Sequence, residues 1–185
     1  MGFCRLRAMV SSKFQVAIVL LLSLSACGTS SPVISKPGTI TPPTTTLNAF
    51  NQDILNQVNA ARNTARTCGG KNYPIAPALA WNAKLEAAAR AHNQDMLDHN
   101  FFAHTGFNGS NPGDRMKLEG YKFSTWGENI AWGQSTTPIV MDAWLNSAGH
   151  CANIMNANFT EIGVAALYPS ASPNSPLWTM DLAKP

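Results

Sequence analysis

Apolar residues recur along this chain with two different periods, and the order of those periods sets the fold class. Across residues 47–66, Phe50, Ile54, Val58, Ala61 and Ala65 fall three or four positions apart and line one side of a helix. A second helical stripe, Leu85, Ala89, Met96 and Leu97, opens after Asn82, a residue suited to an N-cap, and runs to about His99. Two more helices are signalled by a capping residue followed by proline, a short one at Asn111-Pro112 and one at Thr137-Pro138 that carries Val140, Met141, Trp144 and Leu145. Shorter runs suited to strands lie at residues 129–132, 162–168 and 177–182. Helices first and strands later predict a layered α+β domain rather than a regular alternation around a parallel sheet.

The periodic region starts only near residue 47, and what precedes it reads differently. Residues 1–13 hold Arg5, Arg7 and Lys13 and no acid, and residues 14–24 form an apolar run of 11. A membrane span needs roughly 20 apolar residues, so this run has the size of a signal-peptide core instead. It ends at Leu24-Ser25-Ala26-Cys27-Gly28, which resembles the lipobox of bacterial lipoproteins. The resemblance implies a signal peptide over residues 1–26 and a diacylated Cys27, anchored stably because two acyl chains are present. Ordinary secretion after Ala26, with Cys27 a free thiol, is the alternative. Residues 27–46 then form a tether: 13 of the 18 residues from Thr29 to Thr46 are Ser, Thr or Pro, too polar to offset the entropy of ordering. The folded domain is residues 47–185.

Charge adds little once the leader is set aside. The chain has 13 basic and 10 acidic residues, three of the basic ones in the leader, so the remainder is balanced. No run of Lys or Arg offers the clustered basic face of a nucleic-acid binder. Of the four cysteines, Cys4 leaves with the leader and Cys27 takes the lipid. Cys68 and Cys151 remain, and two cysteines in an exported domain pair more often than not; two independent thiols is the alternative. Commoner hydrolase and nucleotide signatures, His-Glu-x-x-His, Gly-x-Ser-x-Gly and the P-loop, are missing from the sequence. His150 and Cys151 are sequence neighbours and cannot face each other on a helix, so they make no nucleophile–base pair.

Polar residues inside apolar motifs carry the remaining signal. Phe101-Phe102-Ala103-His104-Thr105 sets a histidine after an aromatic pair beyond a helix, and Gly127-Glu128-Asn129-Ile130-Ala131 sets a carboxylate at the start of a strand. Ser147-Ala148-Gly149-His150-Cys151-Ala152-Asn153-Ile154-Met155 sets a second histidine past a helix end. With Leu79-Ala80-Trp81-Asn82 and Phe159-Thr160-Glu161-Ile162-Gly163-Val164, these stretches resemble the CAP superfamily of cysteine-rich secretory, antigen-five and pathogenesis-related proteins, also called the SCP domain. The likeness covers nearly all of residues 47–183 and is greatest to the bacterial branch with Gly-His-x-x-Asn-Ile-Met. It implies a three-layer αβα sandwich with a cleft of two histidines and two acids, onto which His104, Glu128 and His150 fall. The second acid of eukaryotic members corresponds to Ser147, beside Asn146; Glu161 belongs to another motif.

The resemblance implies that His104 and His150 can hold zinc or another divalent ion, weakly, because structural zinc takes four protein ligands and catalytic zinc usually three. A bland role stands beside each functional one. Glu128 would serve equally well as the paired partner of buried amides and a histidine N–H. His92 and His99 read as a packed and a solvated histidine, and Trp126, Trp132 and Trp144 as core. The function expected is a lipid-anchored protein of the bacterial cell envelope whose His/Glu cleft binds a small apolar or cell-wall ligand. The alternative is an envelope hydrolase of peptidoglycan or peptide using Glu128 with His104 and His150.

Overall fold

The computed structural model describes residues 47–185; the expected signal peptide (1–26), the expected lipidation at Cys27 and the expected tether (27–46) fall outside the described residues. The first helix, α1 (Ala49–Arg62), is capped by the Asn48 side chain. It stops four residues short of the stripe seen in the sequence, because the chain turns into a hairpin of β1 (Arg66–Cys68) and β2 (Lys71–Tyr73). Gly69 and Gly70 make its two-residue turn with φ of 56° and 86°, the backbone that favours glycine at both central positions. Ala65 therefore belongs to the connection and not to a helical face.

A two-residue strand, β3 (Ala80–Trp81), precedes α2 (Ala83–Asp98), which Asn82 caps as the sequence indicates. Next comes α3 (Pro112–Leu118), whose capping box pairs Asn111 with Asp114, then β4 (Thr125–Trp132) and α4 (Thr137–Asn146). The N-cap of α4 is Thr136 and makes no side-chain cap bond. Thr137 instead hydrogen-bonds Asp53 and Gln57 on α1, tying the two helices. Ser147, extended at φ −95° and ψ 125°, ends α4 and begins a further helix, α5 (Ala148–Met155). His150 thus lies inside a helix rather than past a helix end; α5 is only eight residues long and too brief to show a period. The last strands are β5 (Glu161–Leu167) and β6 (Leu177–Lys184).

The main sheet has the order β3-β5-β6-β4, with β5–β6 and β6–β4 antiparallel and β3–β5 parallel. Side chains alternate along β6 and sort the helices into two layers. Trp178, Met180 and Leu182 enter one core with Ile54 and Val58 of α1, Trp144 of α4 and Ile154 of α5. Leu177 packs instead with Met96 of α2, and Ala183 with Leu85 of α2 and Met116 of α3. The result is the α+β, three-layer αβα sandwich: α2 and α3 on one face, α1, α4 and α5 on the other. On β5, a Cβ at Gly163 would lie 2.0 Å from the Glu86 amide nitrogen, so α2 reaches the sheet only because that position carries no side chain.

Two further devices fix α5. The Cys68–Cys151 disulfide joins it to the β1–β2 hairpin. Arg62, fully buried, donates to the carbonyls of Ile154 (2.6 Å), Asn156 (3.0 Å) and Phe159 (3.3 Å), and to Pro77 at 2.7 Å. Burial pushes the Arg62 pKa down to about 10, which leaves it charged at neutral pH.

Candidate functional site

The edge strand β4 is where the two helical layers meet the sequence's polar motifs. Glu128 is the fourth residue of β4 and not its first, placed opposite Asp181 of β6 and facing α3. Its side chain is 1% exposed, and both oxygens are engaged: Oε1 accepts from His104 Nδ1 at 2.8 Å and Oε2 from Arg115 Nη2 at 2.6 Å. A carboxylate only accepts, so the proton of this pair sits on Nδ1 and the Nε2 lone pair of His104 points the other way. The ring is 53% exposed. Arg115, from α3, also donates to the His104 carbonyl at 3.0 Å, which clamps the loop after α2. Arg115 went unread in the sequence; nothing local marks a charge whose partner lies 13 residues away.

His150 arrives from the opposite layer, in the first turn of α5. Its helix is sewn to β4 by two asparagines. Asn129 Nδ2 donates to the His150 carbonyl (3.1 Å), and Asn153 Nδ2 donates to Asn129 Oδ1 (2.9 Å) and to the Glu128 carbonyl (3.1 Å). Both asparagines stand inside the quoted motifs, so their signal was available and their roles were not. Burial, and then the charge of His104, lower the His150 pKa. No hydrogen bond holds either ring nitrogen of His150 among the described residues.

Beside His150 opens a cavity of about 410 Å³ walled by Phe102, Ile130, Trp132, Trp144, Ser147 and His150. Ser147, at the α4–α5 junction, occupies the place where the resemblance implies a second acid. Trp144 is core, as read from the sequence, with its indole donating to the Ile130 carbonyl at 3.3 Å. Trp132 and Trp126 are not core, at 54% and 38% exposed; both sit on β4, whose outer side no further strand covers among the described residues. Glu161 accepts from Asn82 and Tyr121, away from this cluster. His92 is buried with Nε2 on the Ala103 carbonyl, whereas His99 is exposed and stacked on Phe107. Cys151 is disulfide-bonded and has no thiolate to offer.

Zinc would find few donors here. His104 Nε2 and the His150 ring are free, but Glu128 is taken by His104 and Arg115. No group of three or more His, Cys, Asp or Glu side chains is arranged to hold a metal ion among the described residues. Two imidazoles are fewer than the three protein ligands usual even for catalytic zinc.

Comparison with known proteins places these features in a family. The model described as "CAP: Cysteine-rich secretory protein family" matches residues 55–181. The uncharacterized protein YkwD of Bacillus subtilis is 39% identical over 129 residues, 70% of this chain and 47% of its own. An extracellular protein containing a SCP domain from Bacillus anthracis superposes with a TM-score of 0.63 at 29% identity, over 75% of this chain and 41% of that one. This chain thus spans under half the length of either Bacillus protein. NaASP2, crystallised with Zn2+, shares the fold at a TM-score of 0.53 and 16% identity, over 76% and 82% of the two chains.

Proposed function

Because this chain belongs to the cysteine-rich secretory protein (CAP) family, we propose that it works outside the cytoplasm as a binding module that takes a small apolar ligand into the cleft beside β4. The observation that carries this reading is the aromatic-walled cavity next to His150. Ligand sites are concave, mostly apolar and furnished with a few polar groups, and here Gln134, Ser147 and His150 supply them. Export is supported by the Cys68–Cys151 bond, since disulfides persist in oxidising compartments. Anchoring through a lipid on Cys27 is part of the proposal; Cys27→Ser should move the protein from the membrane fraction to the soluble one. A fluorescent long-chain fatty acid is the probe. Ala143 of α4 lines the cavity, so saturable binding that weakens tenfold or more in Ala143→Trp, with unchanged circular dichroism, supports the cleft, and equal binding by both proteins rejects it.

The hydrolase reading has one observation in its favour. A histidine held by a buried carboxylate, with its second nitrogen turned to solvent, is the arrangement of a general base. His104 would take that role and Glu128 would orient it, because Glu128 has no oxygen free to exchange a proton with a substrate. Release of soluble fragments from purified cell wall, lost in His104→Ala, would support it; no release by the wild-type protein rejects it. A divalent ion at His104 Nε2 and His150 would be weakly held, its other positions filled by water.

A further inference from the structure

Behind His104 and Glu128 lies a second carboxyl group that neither reading uses. Asp181 of β6 stands directly opposite Glu128 of β4. The carbonyls of Glu128 and Ile130 accept from Asn153 and Trp144, away from β6, so Glu128 and Asp181 form a non-hydrogen-bonded pair of the ladder. Side chains are closest in such pairs, with Cβ atoms about 4.5–5.5 Å apart. Asp181 is fully buried, and neither of its oxygens has a donor among the described residues.

The groups around it are few. Glu128 stands opposite it on β4 and Arg115 reaches that carboxylate from α3. The charges of Glu128 and Arg115 are both felt by His92 of α2, and the register neighbour on β5 is Gly163, which brings no side chain. Arg115 closes on Glu128 Oε2 through Nη2, and although its buried Nε has no partner, it is one cation beside two carboxyl groups. A second ionised carboxylate in this space would be an unpaired buried charge, and such a group keeps its proton instead. Each Glu128 oxygen accepts one bond and has capacity for another.

We infer that Asp181 is a positioning residue of the cleft: as a carboxylic acid it donates its O–H to the Glu128 carboxylate and so fixes the oxygens that orient His104. The pair then carries one negative charge, matched by Arg115. Burial, reinforced by the charge of Glu128, raises the Asp181 pKa well above the ordinary aspartate value, in line with that geometry. The chain of donors runs Asp181 to Glu128 from behind and His104 to Glu128 from the front. Asp181 touches no ligand; it sets which nitrogen of His104 faces one.

Two variants test this without any ligand, so failure here leaves the binding reading intact. Asp181→Asn keeps the size and a donor but has no proton to lose. An unfolded aspartate ionises near pH 4 while the folded one does not. The unfolding constant of wild type relative to D181N should therefore rise about tenfold per pH unit between roughly pH 4.5 and 7. Asp181→Val removes the donor at similar volume. Nitrogen-15 NMR at about pH 8, above the usual imidazole range, should show His104 with its proton on Nδ1 in wild type and D181N, and a mixture of tautomers in D181V. A ratio that stays flat with pH, or an unchanged tautomer in D181V, overturns the inference. Should D181V fail to fold, the pH dependence of the D181N comparison decides alone.

Discussion

Replacing Arg62 by methionine should cost this domain about 4 kcal/mol, although no acid pairs with it. The guanidinium is fully buried and its bonds run to four backbone carbonyls. Methionine fills a similar volume and leaves those carbonyls without a donor. The bonds to Ile154 and Phe159 are buried, and each orphaned acceptor there costs roughly 1–3 kcal/mol. Pro77 and Asn156 are part-buried, so water can replace much of what they lose. Against this, the variant no longer has to desolvate a cation, which returns part of the loss; the hydrogen bonds lost are charge-assisted ones of roughly 1.5–3 kcal/mol each, which leaves a net cost of about 4 kcal/mol. Total stability for such domains is about 5–15 kcal/mol, so Arg62→Met should remain folded in water and unfold early in denaturant. With a urea slope of about 2 kcal/mol/M, the midpoint should fall by about 2 M at constant slope. Arg62→Lys, with three donors on one nitrogen, should lose about half as much. A midpoint shift under about 0.5 M for Arg62→Met, or equal losses in the two variants, would refute the reasoning. The consequence reaches the cleft, because the carbonyls that Arg62 holds end α5, and His150 begins it.

Other perturbations give separate checks. Reducing Cys68–Cys151, which closes a loop of 83 residues, should cost up to about 4.5 kcal/mol by the chain-entropy relation, read as a lower melting temperature in reductant. Burial lowers the His92 pKa, so below about pH 6.5 the unfolded chain binds a proton that the folded one refuses. Stability should then fall relative to His92→Gln by up to about 1.4 kcal/mol per pH unit, measured by urea unfolding from pH 7 to 5; a constant gap between the two proteins would contradict it. Zinc titrated calorimetrically should bind weakly, less still below about pH 6, where protons compete for the imidazoles. Equal heats from wild type, His104→Ala and His150→Ala would remove zinc from the cleft.

What could be read from the chain follows the range of the forces involved. Asn82 and Asn111 announce helices because capping is settled within three residues, and both caps stand where they were expected. The Gly69-Gly70 turn was equally local and its strands were not anticipated, since three residues a side give no alternation to see. Trp126 and Trp132 were assigned to the core by type, yet whether a strand residue is buried depends on which strand is outermost, a property of the sheet order. His104, Glu128 and His150 were found through motif likeness alone. Their supports, Arg115 and Asp181, escaped because each owes its meaning to a partner on another element. The mid-strand position of Glu128 matters for the same reason: it is what brings the residue level with Asp181.

The indole of Trp144 and the amide of Asn153 do more than shape the cleft. Unpaired strand edges offer docking points to other chains, and β4 is a long outermost strand. Its outward carbonyls at Glu128 and Ile130 are already occupied by those two side chains, and the opposite edge, β3, is only two residues long. Trp144, which walls the cavity beside His150, is therefore also part of the barrier against sheet-to-sheet growth. Anyone enlarging the pocket has a free hand on the Phe102 and Trp132 side. Cutting back Trp144 would bare the Ile130 carbonyl and trade ligand space for self-association.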